Sequence, residues 1–229
     1  MACRSCRGPA GAGFARCYQC ELALSEVGEL LADVVVPIGY AVRGGGLAHD
    51  LRAYKSEWAD PATAAAAADR LRRMLAAFLS GQADELWAAA GMSAGPGAVA
   101  VVPSGQGRTG GHPLTRIVRS SVALPLIRLS IAGREAHARG INPNWVQVGD
   151  PVVDTDVLVI DDTWVSGGSA QSVAAALKLA GARRVAIVVL GRHVNPADSK
   201  SSAFLRAVLS PDAEQVGGGG GADGGGEGR

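Results

Sequence analysis

The sequence predicts an α/β fold: a mainly parallel twisted sheet flanked by helices, with a small four-cysteine unit at its N-terminus. Two observations predict it. Between residues 98 and 190, short apolar runs alternate with stretches of helical character, which is the pattern of βαβ units. All four cysteines lie among the first twenty residues, well separated from those runs.

The composition fits one domain of ordinary size with small attachments. The 229 residues are 48% hydrophobic and 4% aromatic, which excludes collagen, a coiled coil and bulk disorder. A formal net charge of +1 gives no overall field, so an anionic ligand needs a local site and long nucleic acids are not expected partners. The sequence contains neither a signal peptide nor an apolar run that could span a membrane, so we expect a cytoplasmic protein with no membrane contact.

The cysteines indicate a metal site. Cys3 and Cys6 form one Cys-x2-Cys pair, and Cys17 and Cys20 form a second pair ten residues later. Four thiolates bind Zn²⁺ tetrahedrally and leave no position open for substrate or water, so the predicted zinc is structural rather than catalytic. Unligated or redox-active thiols are the alternative, which the doubled spacing and a reducing compartment disfavour.

The chain is expected to have three parts: a zinc knuckle with its connector at 1–30, the main α/β domain at 31–212, and a Gly-rich tail at 213–229. The tail has almost no side chains to bury, which predicts disorder. A short helix or loop is predicted over 21–33, followed by a buried apolar run at 34–40.

Two helices are predicted next. The first covers residues 44–58 and is entered through glycines. Asp60 and Pro61 supply the N-cap and first position of the second. Its buried face has residues at i, i+3, i+4, i+7 and i+8, namely Leu71, Met74, Leu75, Phe78 and Leu79.

The alternating region follows. Strands are predicted at 98–102, 124–130, 157–161 and 184–190, and helices at 112–123 and 169–180. Ligands bind beyond the carboxyl ends of parallel strands, so chemistry is expected just after Val102, Ile160 and Leu190.

The segment after Ile160 has the most informative chemistry. Asp161 and Asp162 follow an apolar strand. A loop of mostly small residues comes next and leads into a helix. The residues of this loop are Thr163, Trp164, Val165, Ser166, Gly167, Gly168 and Ser169. Successive backbone N–H groups at a helix N-terminus bind phosphate, and carboxylates accept hydrogen bonds from vicinal hydroxyls. Together they predict a site for a ribose 5-phosphate.

This run resembles the phosphoribosyl-pyrophosphate (PRPP) motif of type I phosphoribosyltransferases, with Val165, Ser166 and Ser169 where that family usually has threonines. With the four cysteines and the stretch Arg52-Ala53-Tyr54-Lys55, the chain resembles the ComF family of competence-associated phosphoribosyltransferase-like proteins over most of residues 1–210.

The resemblance implies binding of Mg²⁺ and PRPP, and transfer of the phosphoribosyl group to a small nitrogen acceptor with release of pyrophosphate. It assigns Asp161 and Asp162 to the ribose hydroxyls and Thr163 to Ser169 to the 5-phosphate. It places the pyrophosphate, with magnesium, at Ser104, Gly105, Gln106, Gly107 and Arg108.

The sequence is also compatible with other functions. A non-catalytic ComF-like protein in DNA uptake would dock a protein or single-stranded DNA through its zinc knuckle. The spacing Gly105-x-Gly107-x-x-Gly110 matches a dinucleotide-binding loop, although the acid expected about 20 residues later is missing, and a simple glycine-rich connector also fits. No GxxxxGK[ST] motif accompanies the acid pair, so a P-loop ATPase has little support.

Other polar residues near the predicted site are ambiguous. His49 and Lys55 can reach the mouth of the site, but a capping histidine and a surface lysine are commoner explanations. The run 192–196 either lines the acceptor pocket or forms a polar turn, and His193 by itself is assigned no ligand role.

Overall fold

The computed structural model of the protein describes residues 1–104, 112–132 and 140–208. Its strands, in chain order, are β1 (Val34–Val42), β2 (Ala98–Val101), β3 (Leu129–Ile131), β4 (Val146–Val148), β5 (Asp156–Trp164) and β6 (Arg184–Val194). The main sheet has the order β1-β6-β5-β2, and every pair in it is parallel. β3 and β4 form a separate antiparallel pair.

The helices are α1 (Tyr18–Val27), α2 (Gly46–Ala53), α3 (Pro61–Ala90), α4 (Pro113–Arg119), α5 (Gly168–Leu179) and α6 (Ser199–Val208). The predicted mainly parallel sheet flanked by helices is confirmed.

The two central strands hold the two halves of the core together. β5 and β6 are almost continuously apolar and buried, as expected of parallel strands covered on both faces. Val157 and Val159 pack with α5 and the cysteine knuckle, whereas Leu158 and Ile160 pack with α2, α3 and α4. The carboxyl ends of β5 and β6 are therefore held rigidly from both sides.

The longest helix begins and packs as the sequence predicts. The Asp60 carboxylate accepts a hydrogen bond of 2.8 Å from the Thr63 backbone N–H and caps α3. On the predicted face, Leu71, Leu75 and Phe78 are buried, while Met74 and Leu79 are half-buried against the same core.

Several predicted boundaries were wrong. The helix predicted over 44–58 ends at Ala53, and the one predicted over 112–123 ends at Arg119. A strand was predicted over 124–130, but only residues 129–130 belong to one, the short β3. β3 pairs with β4 outside the main sheet. Leu126 makes a single bridge to Val99. β5 continues through the acid pair to Trp164 and β6 continues to Val194, so Leu190 is not a strand end.

The apolar run at 34–40 is less buried than expected. It forms part of β1, which lies at the edge of the sheet and, among the described strands, pairs only with β6. Within β1 only Val35 and Ala41 are fully buried, and an edge strand also tolerates Pro37.

No helix within the described ranges is long and apolar enough to cross a membrane. The predicted Gly-rich tail at 213–229 lies outside the described residues.

Candidate ligand-binding cleft and metal centre

The acid pair lies near the carboxyl end of β5. Asp162 is buried and Asp161 half-buried, and the Asp162 backbone N–H donates a hydrogen bond of 2.8 Å to Asp161 Oδ1. Strand geometry sends successive side chains to opposite sides, so the two carboxylates face different neighbours. They can therefore have different charges at the same pH.

Tyr54 and Lys55 hold the Asp162 carboxylate. Lys55 Nζ lies 2.7 Å from Asp162 Oδ2, and the Tyr54 hydroxyl donates to the same oxygen. Both residues follow the end of α2, more than a hundred positions earlier in the chain. The surface-lysine explanation of Lys55 was wrong, because its ammonium is committed to the acid pair.

These contacts separate the pKa values of the two acids. Burial, together with the neighbouring Asp162 carboxylate, raises the pKa of Asp161 to about 8. Burial acts the same way on Asp162, but the Lys55 ammonium and the hydrogen bonds from Lys55 and Tyr54 outweigh it and lower the pKa of Asp162. The anionic form is therefore favoured at Asp162 and disfavoured at Asp161.

The predicted phosphate loop joins β5 to the N-terminus of α5. Gly167 caps the helix with a φ of +88°, a left-handed conformation that favours glycine. A Cβ atom there would lie 2.1 Å from the ring of Trp164. Val165 and Ser166 are exposed, so their backbone can reach a ligand at the positive end of the α5 dipole.

Trp164 differs from the rest of the predicted loop. Its side chain is 2% exposed and packs in the core that includes the cysteines. Trp164 can therefore contact a ligand only through its backbone, and its ring packs between the loop and the core.

A cleft of about 490 Å³ opens above the acid pair. It contains Asp161, Asp162, Thr163, Val165 and Ser169 of the predicted site, together with residues from three neighbouring segments: Ala41, Arg43, Ala48, Leu51, Arg52, Lys55, Val102, Pro103, Ser104, His112 and His193. A volume of this size suits a small molecule.

Of the predicted pyrophosphate residues, Ser104 lies in this cleft, after β2. Gly105, Gln106, Gly107 and Arg108 lie outside the described residues, as does Gly110 of the dinucleotide-type spacing. His112 begins the next described segment, where its Nδ1 accepts a hydrogen bond of 3.0 Å from Leu114 N.

The four cysteines form the predicted cluster. The Sγ atoms of Cys3, Cys6, Cys17 and Cys20 all lie within 4.8 Å of one another, and those of Cys6 and Cys17 are 3.8 Å apart. A tetrahedral zinc site with Zn–S bonds of about 2.3 Å has sulfur–sulfur distances of about 3.8 Å, so this donor set fits Zn²⁺.

The cysteine knuckle packs against the α/β domain. Cys3, Cys6 and Cys20 share one buried cluster with β5 and α5, and the Tyr40 hydroxyl of β1 donates a hydrogen bond of 2.9 Å to the Arg7 carbonyl. The knuckle and the phosphate loop are therefore neighbours, although the boundary near residue 30 stays a prediction.

The residues that complete the site have weak signals in the sequence. Arg52, Tyr54 and Lys55 belong to the stretch that resembles a family motif, the run 192–196 that contains His193 also fits a polar turn, and Arg43 lies in no motif. Strand order brings Arg43 and His193 near the acid pair, since β6 lies between β1 and β5.

No protein-family model matches this chain, and no curated protein matches it significantly. Among solved structures, a hypoxanthine phosphoribosyltransferase from Staphylococcus aureus is 14% identical, covering 56% of this chain and 74% of its own, with a TM-score of 0.36. A purine phosphoribosyltransferase from Pyrococcus horikoshii is 18% identical, with coverages of 57% and 88% and a TM-score of 0.32. A phosphoribosyltransferase from Corynebacterium diphtheriae is 20% identical, with coverages of 58% and 70% and a TM-score of 0.30. These likenesses are remote, and the function proposed below rests on the cleft.

Proposed function

We propose that the chain is a PRPP-binding phosphoribosyltransferase-like protein of the ComF type, which transfers the phosphoribosyl group to a nitrogen acceptor and releases pyrophosphate. The observation that carries the proposal is that the acid pair lines one cleft with Thr163, Val165 and Ser169, which lie on either side of the glycines at the N-terminus of α5. This arrangement offers carboxylates to vicinal hydroxyls and backbone N–H groups to a phosphate, which are the two features of a ribose 5-phosphate.

In this proposal each part of the site has one task. Asp161 and Asp162 accept hydrogen bonds from the ribose hydroxyls, and the segment from Thr163 to Ser169 binds the 5-phosphate. The pyrophosphate lies toward Ser104 and the segment that follows it. Mg²⁺ would be held through PRPP near Ser104 and would neutralise negative charge on the leaving pyrophosphate.

The reaction requires no covalent intermediate with the protein. The lone pair of the acceptor nitrogen forms the new bond to the ribose C1, the C1–O bond breaks, and its electron pair leaves on pyrophosphate. Where the acceptor nitrogen has a proton, that proton passes to water in the open cleft; a ring nitrogen without one keeps the positive charge in the product. Positioning and stabilisation of the oxocarbenium-like transition state supply the catalysis.

Calorimetric titration of zinc-loaded protein with PRPP in the presence of Mg²⁺ tests the proposal. We expect saturable binding to the wild type and no binding to the double variant Asp161→Asn, Asp162→Asn. Asp84→Asn, on an exposed position of α3, is the matched control and should bind as the wild type does. Equal affinity in the double variant would refute the site.

A second candidate is the non-catalytic role in DNA uptake, in which the knuckle binds single-stranded DNA. It is favoured by exposed aromatic side chains of the knuckle, Phe14 at 68% and Tyr18 at 76%, next to the exposed Arg4 and Arg7. Aromatic rings that stack on bases and cations that bind phosphates are typical of single-strand binding. A salt-dependent affinity for oligothymidine that Phe14→Ala and Tyr18→Ala reduce would support this role.

A further inference from the structure

One end of the cleft has basic side chains that the proposed function does not use. Arg43 follows β1, Arg52 lies on α2, and His193 lies in β6; all three line the cleft. The Arg43 backbone N–H donates a hydrogen bond of 2.9 Å to the Val194 carbonyl, which fixes Arg43 at the joint end of β1 and β6. We refer to these three residues as the basic end.

The basic end has an excess of positive charge. The other cation of the cleft, Lys55, is paired with Asp162. Within the described ranges no carboxylate lies at ion-pair distance from Arg43 or Arg52, both of which are exposed to the cleft. Burial and the nearby Arg192 and Arg43 lower the pKa of His193, so it adds a neutral hydrogen-bonding ring rather than a third charge.

The sheet order separates the basic end from the pyrophosphate. The proposed pyrophosphate position is beside Ser104, after β2, and Arg43 follows β1, at the opposite edge of the β1-β6-β5-β2 sheet. Three strand spacings of about 4.8 Å put the two edge strands about 14 Å apart. A pyrophosphate held after β2 therefore lies toward the opposite end of the cleft from Arg43, and the acid pair on β5 lies between the two ends.

The chemistry places the acceptor at the basic end. A nucleophile approaches the ribose C1 from the side opposite the departing group, because it donates into the orbital of the breaking bond. With the ribose on the acid pair and pyrophosphate toward β2, the open side faces β6 and β1. The incoming nitrogen compound therefore meets Arg43, Arg52 and His193.

We propose that the acceptor is an anion, a nitrogen nucleophile that carries a carboxylate or similar group bound by Arg43 and Arg52. This inference rests on the proposed function and adds the substrate class to it. Arginine binds carboxylates through charge-assisted, often bidentate hydrogen bonds, and an uncharged acceptor would leave both guanidinium groups without a counter-charge. The bond changes at C1 are those given above, and the carboxylate takes no part in them.

Three matched pairs of probes test the inference: nicotinate against nicotinamide, anthranilate against aniline, and orotate against uracil. Binding of each to the full-length protein is measured by ligand-observed NMR with PRPP and Mg²⁺ present, and pyrophosphate release is recorded in the same samples. In at least one pair we expect the carboxylate to bind about tenfold more tightly or better, since one charged contact contributes this much.

The variants separate this inference from the proposed function. Arg43→Gln and Arg52→Gln should each remove most of the preference for the carboxylate and leave PRPP affinity within about twofold. Arg119→Gln, an exposed arginine at the end of α4, should retain the preference.

Two results would overturn the inference alone: PRPP binding with no carboxylate preference in any pair, or a large loss of PRPP affinity in Arg43→Gln, which would place this arginine on the pyrophosphate. Failure of the wild type to bind PRPP would overturn the proposed function as well.

Discussion

Arg192 donates a hydrogen bond of 2.9 Å from Nη1 to the main-chain carbonyl of Trp164, at the point where the phosphate loop leaves β5. The same nitrogen donates to the Val165 carbonyl at 3.0 Å. Arg192 is only 8% exposed, and Gly8 of the knuckle covers its guanidinium. The knuckle, Arg192 and the loop are therefore packed as one unit.

Gly8→Ala is expected to destabilise this unit. A Cβ atom at position 8 would lie 2.5 Å from Arg192 Nε, so either the arginine or the knuckle must shift. Overpacking of this kind costs about 1–3 kcal/mol. Urea unfolding of the zinc-loaded protein measures the loss in free energy of unfolding.

Gly81→Ala is the matched control for that measurement. Gly81 lies inside α3, and a Cβ atom there meets no heavy atom within 4 Å. Alanine in a helix interior is favoured over glycine by about 0.8–1.0 kcal/mol, so this variant should gain stability. A Gly8→Ala protein as stable as the wild type would contradict the close contact with Arg192.

Removal of the metal should disturb the phosphate loop as well as the knuckle. Cys3, Cys6 and Cys20 pack in the same cluster as Trp164, so loss of zinc, by chelation or in Cys6→Ser, should loosen the support of the loop. We expect zinc content to fall and the Trp164 fluorescence to change.

The control for the fluorescence measurement is Trp164→Phe, in which the signal change on chelation should largely disappear. If chelation removes zinc but leaves both the fluorescence and the unfolding midpoint of the wild type unchanged, the knuckle is not coupled to the loop.

Asp161→Asn should increase stability at neutral pH while weakening PRPP binding. Burial and Asp162 raise the pKa of Asp161 to about 8 from an ordinary 3.8, so the folded protein retains a proton that the unfolded chain releases. Stability from this group is fully present below pH 3.8 and is lost as pH rises through about 8. Asparagine does not ionise, so the variant does not lose this stability as the pH rises. We expect its free energy of unfolding to exceed that of the wild type by at least about 1 kcal/mol at pH 8.

Urea unfolding of both proteins at pH 5 and pH 8 checks the direction of this pH dependence. The advantage of Asp161→Asn over the wild type should be larger at pH 8. An advantage that is absent, or the same at both pH values, would show that Asp161 ionises normally in the folded protein.

Asp162→Asn should have the opposite effect on stability. The substitution removes the ion pair between Asp162 and the Lys55 ammonium, and an amide accepts the Tyr54 hydroxyl less strongly than a carboxylate does. Loss of a buried charge-assisted hydrogen bond costs about 1.5–3 kcal/mol. Urea unfolding at pH 7 measures it, and a variant as stable as the wild type would contradict the Lys55 contact.

The parts that local patterns could predict are the parallel sheet, the α3 cap and the cysteine cluster. The continuous apolar runs predict buried strands, Asp60-Pro61 predicts the start of a helix, and the spacing from Cys3 to Cys20 predicts a metal site. Each of these patterns lies within one short stretch of sequence. The contacts that complete the cleft could not be predicted in this way. Tyr54 and Lys55 reach Asp162 only through the packing of α2 on the sheet, and Arg192 reaches Trp164 only because β6 continues past Leu190.

Gly167→Ala should abolish the stabilisation of the protein by PRPP. Its φ of +88° strains any L side chain, and a Cβ atom would lie 2.1 Å from the Trp164 ring, so the loop and the first turn of α5 must move. Gly44 has the same φ of +88° with no atom within 4 Å of a Cβ. Gly44→Ala therefore reproduces the backbone strain without the collision.

PRPP at 100 times its Kd should stabilise the wild type and Gly44→Ala by about 2.7 kcal/mol, measured by thermal unfolding with Mg²⁺. Equal stabilisation of Gly167→Ala would mean that PRPP does not bind through this loop.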